Sequence, residues 1–269
     1  MKTAIQRWLH RRPRLDFLIV GAEKAGTTAL FSYLREMPGL YIPINKELNF
    51  FDRDPRWRDG SDFSALHRWF LFAPSGARLG EATPTTLMNP HAFPRIFQYN
   101  PHMKIIALLR SPVRRAHSAW NYRRARFRDG RDFMTAIRVE VDSGGSLDVA
   151  RENKYRYVSA GFYAAQLAAL KEVFPAENVL LIKYEEFERS QLAWVRTVAD
   201  FLGVSPPPAA LQPRRVNVWR YRAPLSESEF HAVLPLYLAD IERVEALTGW
   251  DCSDWREYKP RGVSVARAA

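Results

Sequence analysis

The stretch Phe17-Leu18-Ile19-Val20-Gly21-Ala22-Glu23-Lys24-Ala25-Gly26-Thr27-Thr28-Ala29-Leu30 decides how the rest of this 269-residue chain is read. Its apolar run, bounded by Gly21, predicts a buried strand. A small-residue loop then leads to a helix that opens at Thr27-Thr28 and continues through Phe31 and Leu34. A strand, a tight turn and a helix N-terminus aim several backbone N–H groups and the positive end of a helix dipole at one spot, which suits an anion with several oxygens. The triphosphate-binding version of such a loop puts its lysine directly before the hydroxyl residue, in the order Gly-x-x-x-x-Gly-Lys-[Ser/Thr]. Here Lys24 lies inside the loop and Gly26 runs straight into Thr27. A lysine so placed reaches a different ligand atom, and is read as a cation beside a bridging or leaving oxygen.

Hydrophobic residues make up 47% of the chain, enough for one α/β domain with a single core. The net charge of +11 favours anionic partners: a nucleotide, a sulfated or carboxylated glycan, nucleic acid or a membrane surface. The single cysteine, Cys252, excludes an internal disulfide framework and a cysteine-based metal cluster. No run approaches the roughly 20 apolar residues of a membrane span, and the N-terminus lacks the apolar core of a signal peptide, so a cytoplasmic setting is expected. Residues 1–14, with Arg7, Arg11, Arg12 and Arg14 around Trp8 and Leu9, read as a solvated basic leader, with contact to a membrane surface or partner as the alternative. Residues 15–258 are expected to form one domain and residues 259–269 a tail.

Lys24-Ala25-Gly26-Thr27-Thr28, between a strand and a helix, resembles the 5′-phosphosulfate loop of PAPS-dependent sulfotransferases. Further along, Lys46-Glu47-Leu48-Asn49-Phe50-Phe51-Asp52 resembles the segment that supplies the catalytic base in the heparan-sulfate-type members, and the matching carboxylate is Glu47. The chemistry wants such a group, because an acceptor hydroxyl attacks usefully only as its proton leaves to a positioned carboxylate. Glu81-Ala82-Thr83-Pro84 stands where relatives often have Glu-Lys-[Ser/Thr]-Pro. Ala82 in place of that lysine removes one charge contact to the sulfo group or acceptor.

Met103 to Leu109 predicts a central parallel strand, and a helix follows with Pro112 in its first turn. From Arg110 through Ser118 the order Arg-x-Pro-x-x-Arg-x-x-Ser resembles the family's 3′-phosphate element and assigns phosphate contacts to Arg110 and Ser118. A guanidinium can grip two phosphate oxygens while a hydroxyl donates to a third. Arg114, Arg115, Arg123, Arg124, Arg126, Arg128 and Arg131 make this region densely basic, either as a solvated face or as a grip on an acidic glycan or RNA backbone. The chain shows no aromatic-rich strand motif, zinc signature or recognition helix for nucleic acid.

Strands or helices are also expected at Asp62–Phe72 (helix), Ala77–Gly80 (strand), Phe133–Val141 (helix) and Val179–Ile182 (strand). A helix is expected from Gly161-Phe162-Tyr163 to Phe174-Pro175, another carrying Trp194, Val198 and Leu202, and a closing one over Ser226–Leu247. The family's C-terminal basic loop, folded over the nucleotide, corresponds to Ser205–Pro224, where Asn217 and Arg220 are the positions matched to the 3′-phosphate or adenine.

The resemblance spans Phe17 to Trp255. It implies an α/β fold, a P-loop-like three-layer sandwich with a central parallel sheet and helices on both faces, in a bacterial-type single-domain member of the carbohydrate sulfotransferases. The implied reaction moves a sulfuryl group from PAPS (3′-phosphoadenylyl sulfate), with PAP as product and without a metal, to a hydroxyl or amine of a carbohydrate or other small acceptor. Glu47 would be the base, and Lys24 would stabilise the leaving oxygen. Lys24, Ala25, Gly26, Thr27, Thr28 and Ala29 would line the donor loop. A small-molecule kinase and a non-catalytic binder of anionic polymer are the competing readings.

Overall fold

Among the described residues, five short strands pair as a fully parallel sheet in the order β2-β3-β1-β4-β5. They are β1 (Phe17–Gly21), β2 (Leu40–Tyr41), β3 (Arg78–Ala82), β4 (Lys104–Leu109) and β5 (Val179–Lys183). The structure, a computed structural model, describes residues 14–53, 57, 62–127, 129–143, 155–213 and 224–260. A strand covered on both faces carries apolar residues continuously rather than alternately. β1 is buried at every position and β4 at every position after Lys104, so these two runs hold the middle of the sheet. Phe17 pairs with Gly80 on one side and Lys104 on the other, and Ile105 pairs with Val179.

Among the described residues the helices are α1 (Thr27–Leu34), α2 (Ser64–His67), α3 (Ala92–Tyr99), α4 (Pro112–Phe127), α5 (Phe133–Asp142), α6 (Tyr163–Val173), α7 (Tyr184–Arg189), α8 (Gln191–Leu202), α9 (Glu227–Val233), α10 (Leu238–Thr248) and α11 (Ser253–Arg256). The fold is an α/β sandwich, a parallel sheet flanked by helices. The described residues of Met1–Leu109 and Ala168–Asn217 form one compact unit, and those of Arg110–Leu167 and Val218–Ala269 another.

In the sheet unit, the chain runs from β1 to the edge strand β2 and returns to β3 between them, while β4 and then β5 add to the other side of β1. β1 therefore lies at the reversal of strand order, where the carboxyl ends of parallel strands leave a crevice. The approach to β1 is tied to α3: the Leu15 N–H donates to the Tyr99 hydroxyl at 2.9 Å and the Asn100 side chain donates to the Leu15 carbonyl at 2.8 Å. α1 packs against β1 and α8.

In the helical unit, buried charge organises the turns. Glu140 on α5 accepts the N–H groups of Val158 and Ser159 at 2.7 and 2.8 Å, as well as that of Tyr157. Asp240 on α10 caps the start of α6 through the Tyr163 N–H at 2.7 Å. Arg115, fully buried on α4, donates to the Tyr157 carbonyl. Arg124 lies over the Trp120 ring, and Arg123 over Tyr122 and Phe127, so part of the basic run rests on aromatic faces rather than standing free in water.

Two expected helices are broken. Asp62–Phe72 yields only the single turn of α2 followed by a 3₁₀ turn at Arg68–Phe70. The expected closing helix over Ser226–Leu247 splits into α9, a 3₁₀ turn over Leu234–Leu236 and α10, because Pro235 lacks the N–H that a continuous helix needs. Ser226 opens α9 through a capping box with Glu229.

Strand β3 can lie beside β1 only because Gly80 has no side chain. A Cβ there would stand 2.1–2.4 Å from ring atoms of Phe17, which is fully buried. Gly80→Ala is expected to destabilise the fold by about 1–3 kcal/mol. The check is a lower urea midpoint with unchanged slope in equilibrium unfolding.

Candidate active site

The loop after β1 is built from its own backbone. The Ala22 N–H donates to the Leu108 carbonyl at 2.7 Å, fixing the loop on β4, and the Ala25 N–H closes a turn onto the Ala22 carbonyl at 3.1 Å. Lys24 takes a left-handed conformation with φ 68°, and Gly26 follows with φ 90° as the residue before α1. The helical ladder begins when the N–H groups of Ala29 and Leu30 donate to the Gly26 carbonyl at 3.0 and 3.2 Å. Those of Gly26, Thr27 and Thr28 precede it, in the place where a helix leaves donors without intrahelical partners. A Cβ at Gly26 would come within 2.8 Å of the Tyr184 ring, so here only bare backbone fits between β5's end and the loop.

A second ammonium joins Lys24 at this point. Lys46 donates to the Thr28 hydroxyl at 2.9 Å and to the Thr27 hydroxyl at 3.3 Å, and stands 3.9 Å from the Glu47 carboxylate. Burial pulls the Lys46 pKa below the ordinary lysine value; Glu47 opposes the shift and Lys24 adds to it. The candidate base and the loop lysine therefore both act on one ammonium that is hooked onto the first turn of α1.

Glu47 rides on an unusual turn. Its φ is 65° and that of Asn49 is 51°, conformations that L-residues adopt at a cost of roughly 1–2 kcal/mol each. The turn is anchored from below by buried Leu48, Phe50 and Phe51, while the Glu47 side chain remains half exposed. The Glu47 N–H donates to the Ala82 carbonyl at 2.9 Å, and the Asn49 N–H to the Thr83 hydroxyl at 3.3 Å. Thr83 in turn donates to Glu81 Oε2 at 2.9 Å, and the Leu48 N–H donates to the same carboxyl group. Glu81 is almost wholly buried, and burial pushes its carboxyl up to about 8. The hydroxyl of Thr83 and the Leu48 N–H work against that rise, and Asp52 adds to it.

The sheet unit thus gathers Lys24, Ala25, Gly26, Thr27, Thr28, Ala29 and Glu47. Arg110 and Ser118 belong to the helical unit; both are nearly fully buried, and the Arg110 carbonyl accepts from the Tyr163 hydroxyl at 3.0 Å. Asn217 and Arg220 lie outside the described residues. Ala82 is fully buried, and its contribution is a carbonyl under Glu47 rather than a charge. Sequence reasoning missed Lys46, Glu81 and Thr83. Lys46 was visible as the neighbour of Glu47, but its hold on Thr27 and Thr28 joins residues 18 and 19 positions apart, which no local pattern encodes. Among the described residues no group of three or more His, Cys, Asp or Glu is placed to hold a metal, and no helix is long and apolar enough to cross a membrane.

A family model described as the sulfotransferase domain matches residues 14–220. The solved structure of a sulfotransferase from Alicyclobacillus acidocaldarius is 30% identical, superposes with a TM-score of 0.77 and covers 91% of this chain and 100% of that one. The bifunctional heparan sulfate N-deacetylase/N-sulfotransferase 2 of Bos taurus is 27% identical over 71% of this chain and 22% of its own length. The heparan sulfate glucosamine 3-O-sulfotransferase 5 of Mus musculus is 23% identical over 70% of this chain and 53% of its own length. The matches thus take in between about a fifth and about half of the length of these curated relatives.

The raised Glu81 carboxyl has a consequence for stability. The folded chain keeps a proton up to about pH 8 that the unfolded chain releases near the ordinary value of 4.5. The native state therefore binds more protons between these values, and its stability falls as pH rises through them, by up to ~1 kcal/mol per pH unit. Glu81→Gln, neutral at every pH, is expected to flatten this slope when urea unfolding is followed from about pH 5 to about pH 8.

Proposed function

The chain belongs to the sulfotransferase domain family, as an enzyme of its PAPS-dependent kind, and from that membership we propose that it moves a sulfuryl group from PAPS to a hydroxyl or amine of a carbohydrate or other small acceptor. The observation that carries the reading is the Lys46 ammonium, which joins the hydroxyls at the start of α1 to the segment presenting Glu47.

The residues of the loop suit a phosphosulfate. Donors of the first turn of α1, two hydroxyls and two ammonium groups converge there. PAPS, the donor substrate, supplies an activated sulfuryl group on a phosphate leaving group. Glu47 takes the acceptor proton as the acceptor oxygen or nitrogen bonds to sulfur, and the bond from sulfur to the bridging phosphate oxygen breaks. Lys24, the loop N–H groups, Thr27 and Thr28 hold the charge that collects on the departing phosphate, and Lys46 adds a second cation where the chain has Ala82 instead of a lysine. Positioning and fixed charge supply the acceleration. Arg110, Ser118, Asn217 and Arg220 are kept for the 3′-phosphate and adenine on the resemblance of their segments. Residues 15–258 are taken as one catalytic domain, supported by a solved relative that spans 91% of the chain.

Labelled PAPS incubated with a panel of glycans, phenols and lipids is expected to yield a sulfated product. Lys24→Ala and Glu47→Gln are each expected to lower turnover by about 10²–10⁴-fold with a much smaller change in bisphosphate affinity. Equal loss of turnover and affinity would assign both residues a structural role. Stabilisation of the fold by ATP or heparin but not by the bisphosphate, read as a thermal shift, would overturn the reading in favour of a kinase or a polymer binder.

A further inference from the structure

The turn that presents Glu47 is held by three consecutive acceptors facing three consecutive donors. The N–H of Glu47 meets the carbonyl of Ala82, that of Leu48 meets the carboxyl of Glu81, and that of Asn49 meets the hydroxyl of Thr83. The Thr83 hydroxyl spends its own proton on Glu81 Oε2, so two of the three anchors converge on one buried carboxyl group. Left-handed backbone at Glu47 and Asn49 is not the chain's own preference, and a conformation of that kind persists only where its surroundings impose it.

We propose that Glu81 is the positioning residue of the catalytic base: through the Leu48 N–H and the Thr83 hydroxyl it holds the left-handed turn from which Glu47 meets the acceptor. The role rests on the sulfotransferase reading of Glu47 given above. A carboxyl group suits the task because it accepts from a backbone donor and a side-chain donor at once, which no apolar side chain of the same shape can do. Its place at the end of β3 puts it on the rigid sheet rather than on the loop it steadies. The charged groups that act on it, Asp52 and Lys46, both come from the same stretch as Glu47, so the carboxyl and the base-bearing segment form one electrostatic unit.

The test compares Thr83→Val, Glu81→Leu and Glu81→Gln in the full chain by kcat, acceptor KM, bisphosphate affinity and amide exchange at Leu48 and Asn49. Thr83→Val and Glu81→Leu are expected to lower kcat by about tenfold or more while the bisphosphate Kd stays within about twofold. Glu81→Gln keeps an acceptor oxygen and is expected to recover kcat to within about threefold of the unaltered chain. Faster exchange at Leu48 and Asn49 in Thr83→Val supports the role. An unchanged kcat in Thr83→Val, or a fall in bisphosphate affinity that matches the fall in kcat, overturns it. Should Glu81→Leu fail to fold, Thr83→Val and Glu81→Gln decide between the same outcomes. Absence of sulfuryl transfer by the unaltered chain would sink the functional reading alone. Unaccelerated exchange at Leu48 and Asn49 in Thr83→Val would sink the positioning role alone.

Discussion

The ammonium of Lys46 sits where an isolated cation is least welcome. It is largely buried, it shares its surroundings with Lys24, and it rests on the first turn of a helix whose dipole is positive at that end. Two threonine hydroxyls and the nearby Glu47 carboxylate offset part of that cost. Positive charge gathered against a positive helix end favours an incoming anion, and the same ammonium draws the segment carrying Glu47 onto the loop. Removal of this contact would leave the loop and the Glu47 turn as two separate features of the chain.

The sheet makes the contact feasible. Parallel strands place their carboxyl ends along one edge, and the loop that leaves β1 starts there, at the reversal of strand order. β3, the neighbour of β1, ends in Glu81-Ala82-Thr83, and these residues support the Glu47 turn from the next strand over. Close approach without side chains permits this arrangement twice: Gly80 lets the Phe17 ring lie against β3, and Gly26 lets the loop pass the Tyr184 ring.

The helical unit relies on a different device. Its turns are fixed by acidic side chains that accept backbone N–H groups, Glu140 for the segment at Tyr157 to Ser159 and Asp240 for the start of α6. Burial raises the Asp240 carboxyl above the ordinary carboxylate value, and the N–H groups of Tyr163 and Ala164 work against that rise. These residues lie far apart in the chain and stand in no recognisable pattern. A sequence reading sees them as ordinary surface acids.

Continuous apolar runs, bounded by Gly21 or Arg110, were enough to place β1 and β4, because a strand buried on both faces has no alternation to disguise it; the run at β5 reads the same way although its first three residues are only half-buried at the sheet edge. Lys24 within the glycine turn and Glu47 before two phenylalanines were likewise legible as candidates, since their residue types and order suit the proposed chemistry. Pro235 was visible too, and the N–H it lacks is a local reason for the break in the last helix that the helical spacing of Ser226–Leu247 overrode in the reading. Tertiary structure alone decided that Lys46 bridges Thr28 and Glu47, and that Glu81 and Thr83 hold the turn from another strand. Such contacts depend on strand order and register, which bring together residues tens of positions apart, and no local periodicity records them.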